Sequence, residues 1–256
     1  MIYNYHTHTF RCNHASGTEE EFINQAIAGG IKRLGFSDHM PFKFPDGYES
    51  IYRVPTALAE DYFSTLYALR EKYKNDLTIY IGFEMEYYPA YFDEMLENAR
   101  NYGAEYLILG QHFLYNEHPD GIPSPKKTDV SAHLKAYVSN VIDAMKTGVF
   151  TYVAHPDIFH YVGDETTYRK EMKKICIASR ELNIPLEINF LGMRDGRHYP
   201  NETFWKIAAK EQSPVTFGCD AHHTPHVCDI LTLEKAKKLV DRLNLNYIGE
   251  PTIKFL

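Results

Sequence analysis

Imidazole and carboxylate side chains recur along this chain at spacings that suit metal binding. His6 and His8 form a His-x-His pair within Tyr5-His6-Thr7-His8, and His14 follows shortly after. Further along stand Asp38-His39, Glu84 with Glu86, His112, His155-Pro156-Asp157, and Asp220 with His222. Residues i and i+2 of a strand point to the same side about 6.5 Å apart, so a His-x-His pair can close on one ion. Taken singly, each motif is weak. With 13 histidines in 256 residues, chance alone supplies roughly 0.7 His-x-His pairs. A solitary histidine such as His112 or His155 is more often a packed or surface residue than a ligand. His155-Pro156-Asp157 reads equally well as a turn, and Glu84 as an exposed strand-end acid. The set has to be judged by where its members fall on the elements that carry them.

Those elements alternate. Short β-type runs fall near residues 2–6, 33–37, 78–84, 106–111, 151–154, 185–189 and 214–219. Helical patterns fall between them, near 18–28, 55–73, 91–102, 130–146, 167–182 and 201–210, and a last one near 231–243 follows the seventh strand. Thr18 followed by Glu19, Glu20 and Glu21 is a good helix start, a capping hydroxyl with acids in the first turn. Repeated strand–helix alternation predicts a parallel sheet covered by helices. At 256 residues, closure into an α/β barrel of about seven or eight strands is favoured over an open sheet. The open doubly wound alternative wants a G-x-G-x-x-G turn after its first strand, and His6-Thr7-His8-Thr9-Phe10 stands there instead.

In a parallel barrel all C-terminal strand ends meet at one face, where barrel enzymes place their sites. Ligand-type residues stand at six of the seven predicted ends and hardly at all in mid-strand, and seven of the 13 histidines converge on that rim. No packing requirement puts them there, whereas a multi-metal site requires it. This joint pattern, not any one motif, predicts a metal centre.

Composition narrows the rest. The 44% hydrophobic and 24% charged content is that of a folded globular chain, and the length predicts a single domain over 1–256. A net charge of −7 argues against a protein whose main task is to hold nucleic acid. It leaves room for one small phosphate, which needs only a few local cations. Cys12, Cys176, Cys219 and Cys228 form no C-x-x-C pair and read as reduced, mostly buried thiols of a cytoplasmic protein. No 18-residue apolar stretch predicts a membrane span, and the segment from Met1 to His6 lacks a basic leader and an apolar signal core.

The same residues carry a family resemblance. The stretches are His6-Thr7-His8, Cys12-Asn13-His14-Ala15-Ser16-Gly17, Phe36-Ser37-Asp38-His39, Gly82-Phe83-Glu84, Gly110-Gln111-His112-Phe113, His155-Pro156-Asp157, Glu187-Ile188-Asn189 and Asp220-Ala221-His222. In this order they resemble the polymerase and histidinol phosphatase (PHP) superfamily, and within it the stand-alone histidinol-phosphatases. The resemblance implies a distorted (β/α)7 barrel of TIM-barrel type with three divalent metal ions at the C-terminal face of its strands. It implies that His6, His8, Glu84 and Asp220 hold one ion, and that Glu84 bridges to a second, completed by His112 and His155. His14, His39 and His222 would hold the third. Mixed imidazole and carboxylate sites suit Zn, Mn and Fe alike.

The activity so implied is hydrolysis of L-histidinol phosphate to L-histidinol and phosphate, a step of histidine biosynthesis. A hydroxide bridging two metals would attack phosphorus, because metal binding lowers the pKa of water toward neutrality. Glu84 would hold the metal pair, and Asp220 would orient or deprotonate the water. The sequence leaves open which group protonates the leaving alcohol. For the phosphate, Arg197 and Arg194 in the loop 191–200 and Arg53 after the second strand are candidates, since a guanidinium fork suits a phosphoryl group. The long loops 40–54 and 114–129 bring Phe42, Tyr115 and Glu117, and Glu117 is a candidate partner for the amine or imidazolium of the substrate. Three other readings compete: a nuclease or phosphodiesterase, a phosphotyrosine-protein phosphatase, and a metal-binding scaffold without turnover. The acidic balance counts against the first, and the complete ligand set against the last. The sequence is silent on oligomeric state.

Overall fold

A computed structural model describes residues 1–256. Its eight strands form one parallel sheet in chain order. They are β1 (Tyr3–Asn4), β2 (Arg33–His39), β3 (Thr78–Met85), β4 (Tyr106–Leu109), β5 (Phe150–Val153), β6 (Leu186–Asn189), β7 (Pro214–Gly218) and β8 (Asn246–Tyr247). The helices are α1 (Glu19–Ala28), α2 (Ala59–Tyr73), α3 (Phe92–Tyr102), α4 (Ser131–Thr147), α5 (Glu165–Leu182), α6 (Phe190–Arg194), α7 (Glu202–Glu211) and α8 (Ile230–Leu243). Strands β4 to β7 are buried at every position, as expected of a parallel sheet covered on its faces. Thr18 and Glu21 form the capping box that starts α1.

Beyond β1 and β7 the chain makes one more parallel bridge, Thr7 with Ala221. His8 N donates to Ala221 O at 3.0 Å and Ala221 N to His6 O at 3.1 Å. This bridge joins the first strand's end to the seventh's at the face where the ligand-type residues lie. A core cluster of 57 buried residues runs from Phe22 to Leu245, mostly between sheet and helices. A smaller cluster with Tyr3, Tyr5, Tyr106 and Tyr152 fills the other end. No helix is long and apolar enough to cross a membrane.

Two elements depart from the sequence expectation of seven strands and an open loop at 191–200. β8 is a two-residue strand that pairs Asn246 with Pro214 and Tyr247 with Val215. Both of its residues are exposed, so no apolar run marks it. α6 occupies the start of the loop, with Asn189 capping it by accepting from Gly192 N at 3.0 Å.

Candidate metal centre

The strand ends deliver their side chains to the floor of one cavity of about 770 Å³. His39 is the last residue of β2 and Glu84 lies one residue from the end of β3. His6 and His8 follow β1, His112 follows β4, His155 follows β5, and Asp220 and His222 follow β7. His155 (φ +32) and Asp220 (φ +46) adopt left-handed backbone, a conformation that costs about 1–3 kcal/mol in a residue with a side chain and concentrates at functional sites.

The donor atoms face one another. His6 Nε2 and His8 Nε2 lie 3.5 and 3.6 Å from Glu84 Oε2, and 3.6 and 3.2 Å from Asp220 Oδ1. Ligands that each sit about 2.1 Å from a shared tetrahedral ion are about 3.4 Å apart, so these four separations suit one ion. The other Glu84 oxygen, Oε1, is 2.8 Å from His155 Nε2 and 3.5 Å from His112 Nε2. His14, His39 and His222 bring their donor atoms within 4.8 Å of one another. His39 Nδ1 is also 3.2 Å from Glu84 Oε2, and donors of His6, His155 and Asp220 form a further close group. The nine residues thus make one continuous cluster with Glu84 at its centre.

The chemistry of this cluster fits divalent ions. His6 Nε2, His8 Nε2, His222 Nε2, Glu84 Oε2 and Asp220 Oδ1 are buried and make no hydrogen bond. Leaving a buried polar atom unpaired costs about 1–3 kcal/mol, and these five, spread over neighbouring groups of close donors, lack partners within the protein. Four of the outward ring nitrogens, by contrast, are held. His6 Nδ1 lies 2.8 Å from Glu187 Oε2, His8 Nδ1 3.4 Å from Asp38 Oδ1, His112 Nδ1 2.7 Å from Glu86 Oε1, and His14 Nδ1 2.6 Å from Cys12 O. Such partners fix the tautomer and leave the inner nitrogen to a metal. Two glycines make room for the carboxylates. A Cβ at Gly110 would lie 2.0 Å from Glu84 Oε1, and one at Gly218 would lie 2.0 Å from Glu187 Oε2.

Electrostatics keep the carboxylates ionised. Burial raises the pKa of Glu84, but His112, His6 and His155 overcome it and hold the group well below the usual range. Asp220 behaves likewise, with burial opposed by His6, His222 and His8. His112 is pulled down by burial and raised by Glu84 and Glu86, to about 9. His39 and His222 go the other way. Burial and the neighbouring His8 push His39 well below the ordinary value and His222 down to about 4.

Of the residues nominated for substrate, the structure brings Arg197, Arg53 and Glu117 to the cavity wall. Arg197 keeps a half-exposed guanidinium, with Nη1 3.1 Å from Tyr199 Oη and Nη2 3.3 Å from Asp195 Oδ2. Arg53 is buried and fully engaged with Glu86, Glu117 and Met40 O. Three others lie off the wall. Arg194, at the end of α6, turns away to Asp229, whose Oδ2 is 3.2 Å from its Nη1. Phe42 is buried against Phe44 and Tyr91, where it pins its loop to the core. Tyr115 is exposed to solvent.

Sequence reasoning gave no role to Glu187, although it is fully buried in β6 and grips both His6 and Asn189. The available signal was a mid-strand carboxylate in the one strand without a terminal ligand. Cys12 also lies closer to the chemistry than a bland buried thiol, since its sulfur is within 4.8 Å of donors on His8 and His222.

The chain matches known proteins in sequence and in fold. The model of the PHP domain matches residues 4–190. A probable histidinol-phosphatase of Deinococcus radiodurans is 24% identical over 231 residues, covering 87% of this chain and 86% of that protein. The histidinol-phosphatase of Bacillus subtilis is 25% identical over 255 residues, covering 87% of this chain and 94% of its own length. In fold, the chain is similar to the crystal structure of a histidinol phosphate phosphatase from Lactococcus lactis complexed with Zn, L-histidinol and phosphate. The TM-score is 0.72 at 19% identity, covering 96% of this chain and 95% of that one.

Proposed function

The chain belongs to the PHP domain family, and on that premise we propose that it is a metal-dependent phosphomonoester hydrolase converting L-histidinol phosphate and water to L-histidinol and phosphate. The observation that carries this reading is the set of five buried, unpaired donor atoms on His6, His8, His222, Glu84 and Asp220, gathered in neighbouring groups at the strand ends. The names of the curated relatives, and the ligands of the lactococcal protein, support histidinol phosphate as the substrate.

In this reading the nine-residue cluster would hold three divalent ions: His6, His8, Glu84 and Asp220 the first, Glu84 with His112 and His155 the second, and His14, His39 and His222 the third. When bound, such ions supply Lewis acidity at phosphoryl oxygens and lower the pKa of water toward neutrality. The protein's own groups do the rest. Asp220, held ionised beside His6 and His222, would orient the attacking water and accept its proton. Arg197 offers its guanidinium to the phosphate, with Tyr199 and Asp195 steadying the fork. Glu117 lines the same cavity wall, but both of its oxygens accept from Arg53, so its charge is already matched and it is not a free acidic group for the substrate's ammonium or imidazolium.

The test is phosphate release from histidinol phosphate, a nucleoside monophosphate, a phosphotyrosine peptide and single-stranded DNA, before and after chelation and reloading with Zn, Mn or Fe. The expected result is a kcat/KM for histidinol phosphate at least a hundredfold above the others, lost on chelation and restored by metal. Preference for the phosphotyrosine peptide or for DNA would overturn the substrate assignment. Turnover that survives complete chelation would overturn the metal centre.

A further inference from the structure

Arg53 is a candidate phosphate ligand by residue type, yet its hydrogen bonds point elsewhere. It is 2% exposed and sits in the loop after β2. Nε donates to Glu117 Oε2 at 3.0 Å, Nη1 to Met40 O at 2.7 Å, and Nη2 to Glu117 Oε1 at 2.5 Å and also to Glu86 Oε2. A guanidinium has five N–H groups, and the protein takes at least four of these. Presenting a fork to phosphate would break a buried ion-pair network, which costs more than a surface contact returns.

The acceptors lead back to the metal centre. Glu86 uses its second oxygen on His112 Nδ1 at 2.7 Å. Met40, whose carbonyl takes Nη1, donates its own N–H to Glu84 O at 2.9 Å. Glu117 belongs to the long loop after β4 and also accepts from Tyr88 Oη at 3.3 Å. One guanidinium therefore ties together the partner of His112, the backbone beside Glu84, and both long loops over the cavity. His112 needs such support, because its side chain is 21% exposed on the open side of the cluster.

We infer that Arg53 is a positioning residue: it holds Glu86 so that Glu86 fixes the ring of His112, and it fastens the 40–54 and 114–129 loops together over the ion that His112 shares with Glu84. This rests on the metal centre proposed above. It separates Arg53 from Arg197, the arginine left to grip phosphate.

The experiment is titration of the chelated protein with Zn²⁺ alone against a chromophoric competitor, for wild type, Arg53→Lys, Glu86→Gln and His112→Ala. Melting curves and limited proteolysis of the two loops accompany it, and inorganic phosphate binding is measured on the zinc-loaded forms. Arg53→Lys keeps the charge and loses the fork, whereas Glu86→Gln keeps the size and loses the charge that Arg53 pairs with. In both variants one zinc should bind about 10–100-fold more weakly, the usual effect of removing a ligand's outer partner, with the remaining ions within about twofold of wild type. Arg53→Lys should also speed cleavage within the two loops. If Arg53→Lys does not fold, Glu86→Gln decides alone.

Unchanged zinc affinities in Glu86→Gln would overturn the inference. So would a loss of phosphate affinity in Arg53→Lys with every zinc retained, which would make Arg53 a direct phosphate ligand. Uniform weakening of all ions with a collapsed melting temperature would overturn it too, since that is a general structural role. A wild-type protein that takes up no zinc, or a His112→Ala variant with unaltered zinc binding, would refute the metal centre itself and this inference with it.

Discussion

A single methyl group at Gly110 tests whether Glu84 organises the metal centre. Gly110 follows β4, and the added Cβ of Gly110→Ala would lie 2.0 Å from Glu84 Oε1, 2.5 Å from its Cδ and 2.6 Å from its Cγ. Ordinary contact begins at 3.4 Å, so the carboxylate must retreat by about 1.4 Å. It has no slack, because Oε1 already meets His155 Nε2 at 2.8 Å and the side chain is buried. Metal–ligand bonds tolerate only about ±0.2 Å around their 2.0–2.2 Å lengths. A shift several times larger would remove Glu84 from both ions that the proposed centre assigns to it. Gly110→Ala should therefore lose at least one ion per chain, and kcat/KM for histidinol phosphate should fall by about a hundredfold or more, roughly 2.7 kcal/mol in the barrier. The assay is element analysis with steady-state kinetics, beside far-UV circular dichroism to establish that the fold survives. A folded Gly110→Ala protein with full metal content and more than half the activity would refute the reasoning, because the carboxylate would then have room that this geometry denies it.

Element analysis of well-loaded protein should approach three ions per chain; an active, metal-replete preparation holding one or none would end the trinuclear reading. Glu84→Ala should cost several orders of magnitude in activity while the fold survives, since the site lies at the strand ends and not within the main core. A variant keeping a tenth of the activity would mean that Glu84 does not join two ions. Arg197→Ala should reduce kcat/KM by about 2–4 kcal/mol, the range for a lost charge-assisted bond in a partly dry site, and Arg197→Lys should recover only part of it. The melting temperature should hardly move, because the side chain is 45% exposed and such pairs contribute little to folding. Wild-type kinetics in Arg197→Ala would place the phosphate contact elsewhere, and a lost melting transition would make the residue structural.

The alternation of strands and helices was legible because each element carries its own period and cap. Thr18 with its three glutamates marks the start of α1, and the apolar run of β4 marks a strand buried on both faces. The candidate ligands were legible for a topological reason: a parallel sheet sends every strand's C-terminal end to one face, so residue type and strand position together place them. β8 was not legible, since two exposed residues acquire strand geometry only from β7 alongside. The grouping of the ligands was legible only in part. His39 stands between Glu84 and the His14–His222 side, a position that depends on how far β2 runs before it turns.

The arginines mark the boundary between what residue type announces and what packing decides. Arg53, Arg194 and Arg197 all follow strand ends, and all carry the fork that phosphate prefers. What separates them is how their N–H groups are already used. Arg53 has spent at least four on buried partners, and Arg194 has turned to the carboxylate that caps α8. Arg197 is held only by a phenol and an exposed carboxylate, both beyond 3 Å. A guanidinium committed to buried carboxylates serves architecture, while one held loosely at a cavity wall can exchange a weak partner for a doubly charged phosphate at little cost. The same argument explains Glu187. A carboxylate inside a fully buried strand is expensive unless something pays for its charge, and His6, carried there from a different strand, is the partner that no reading of β6 alone can supply.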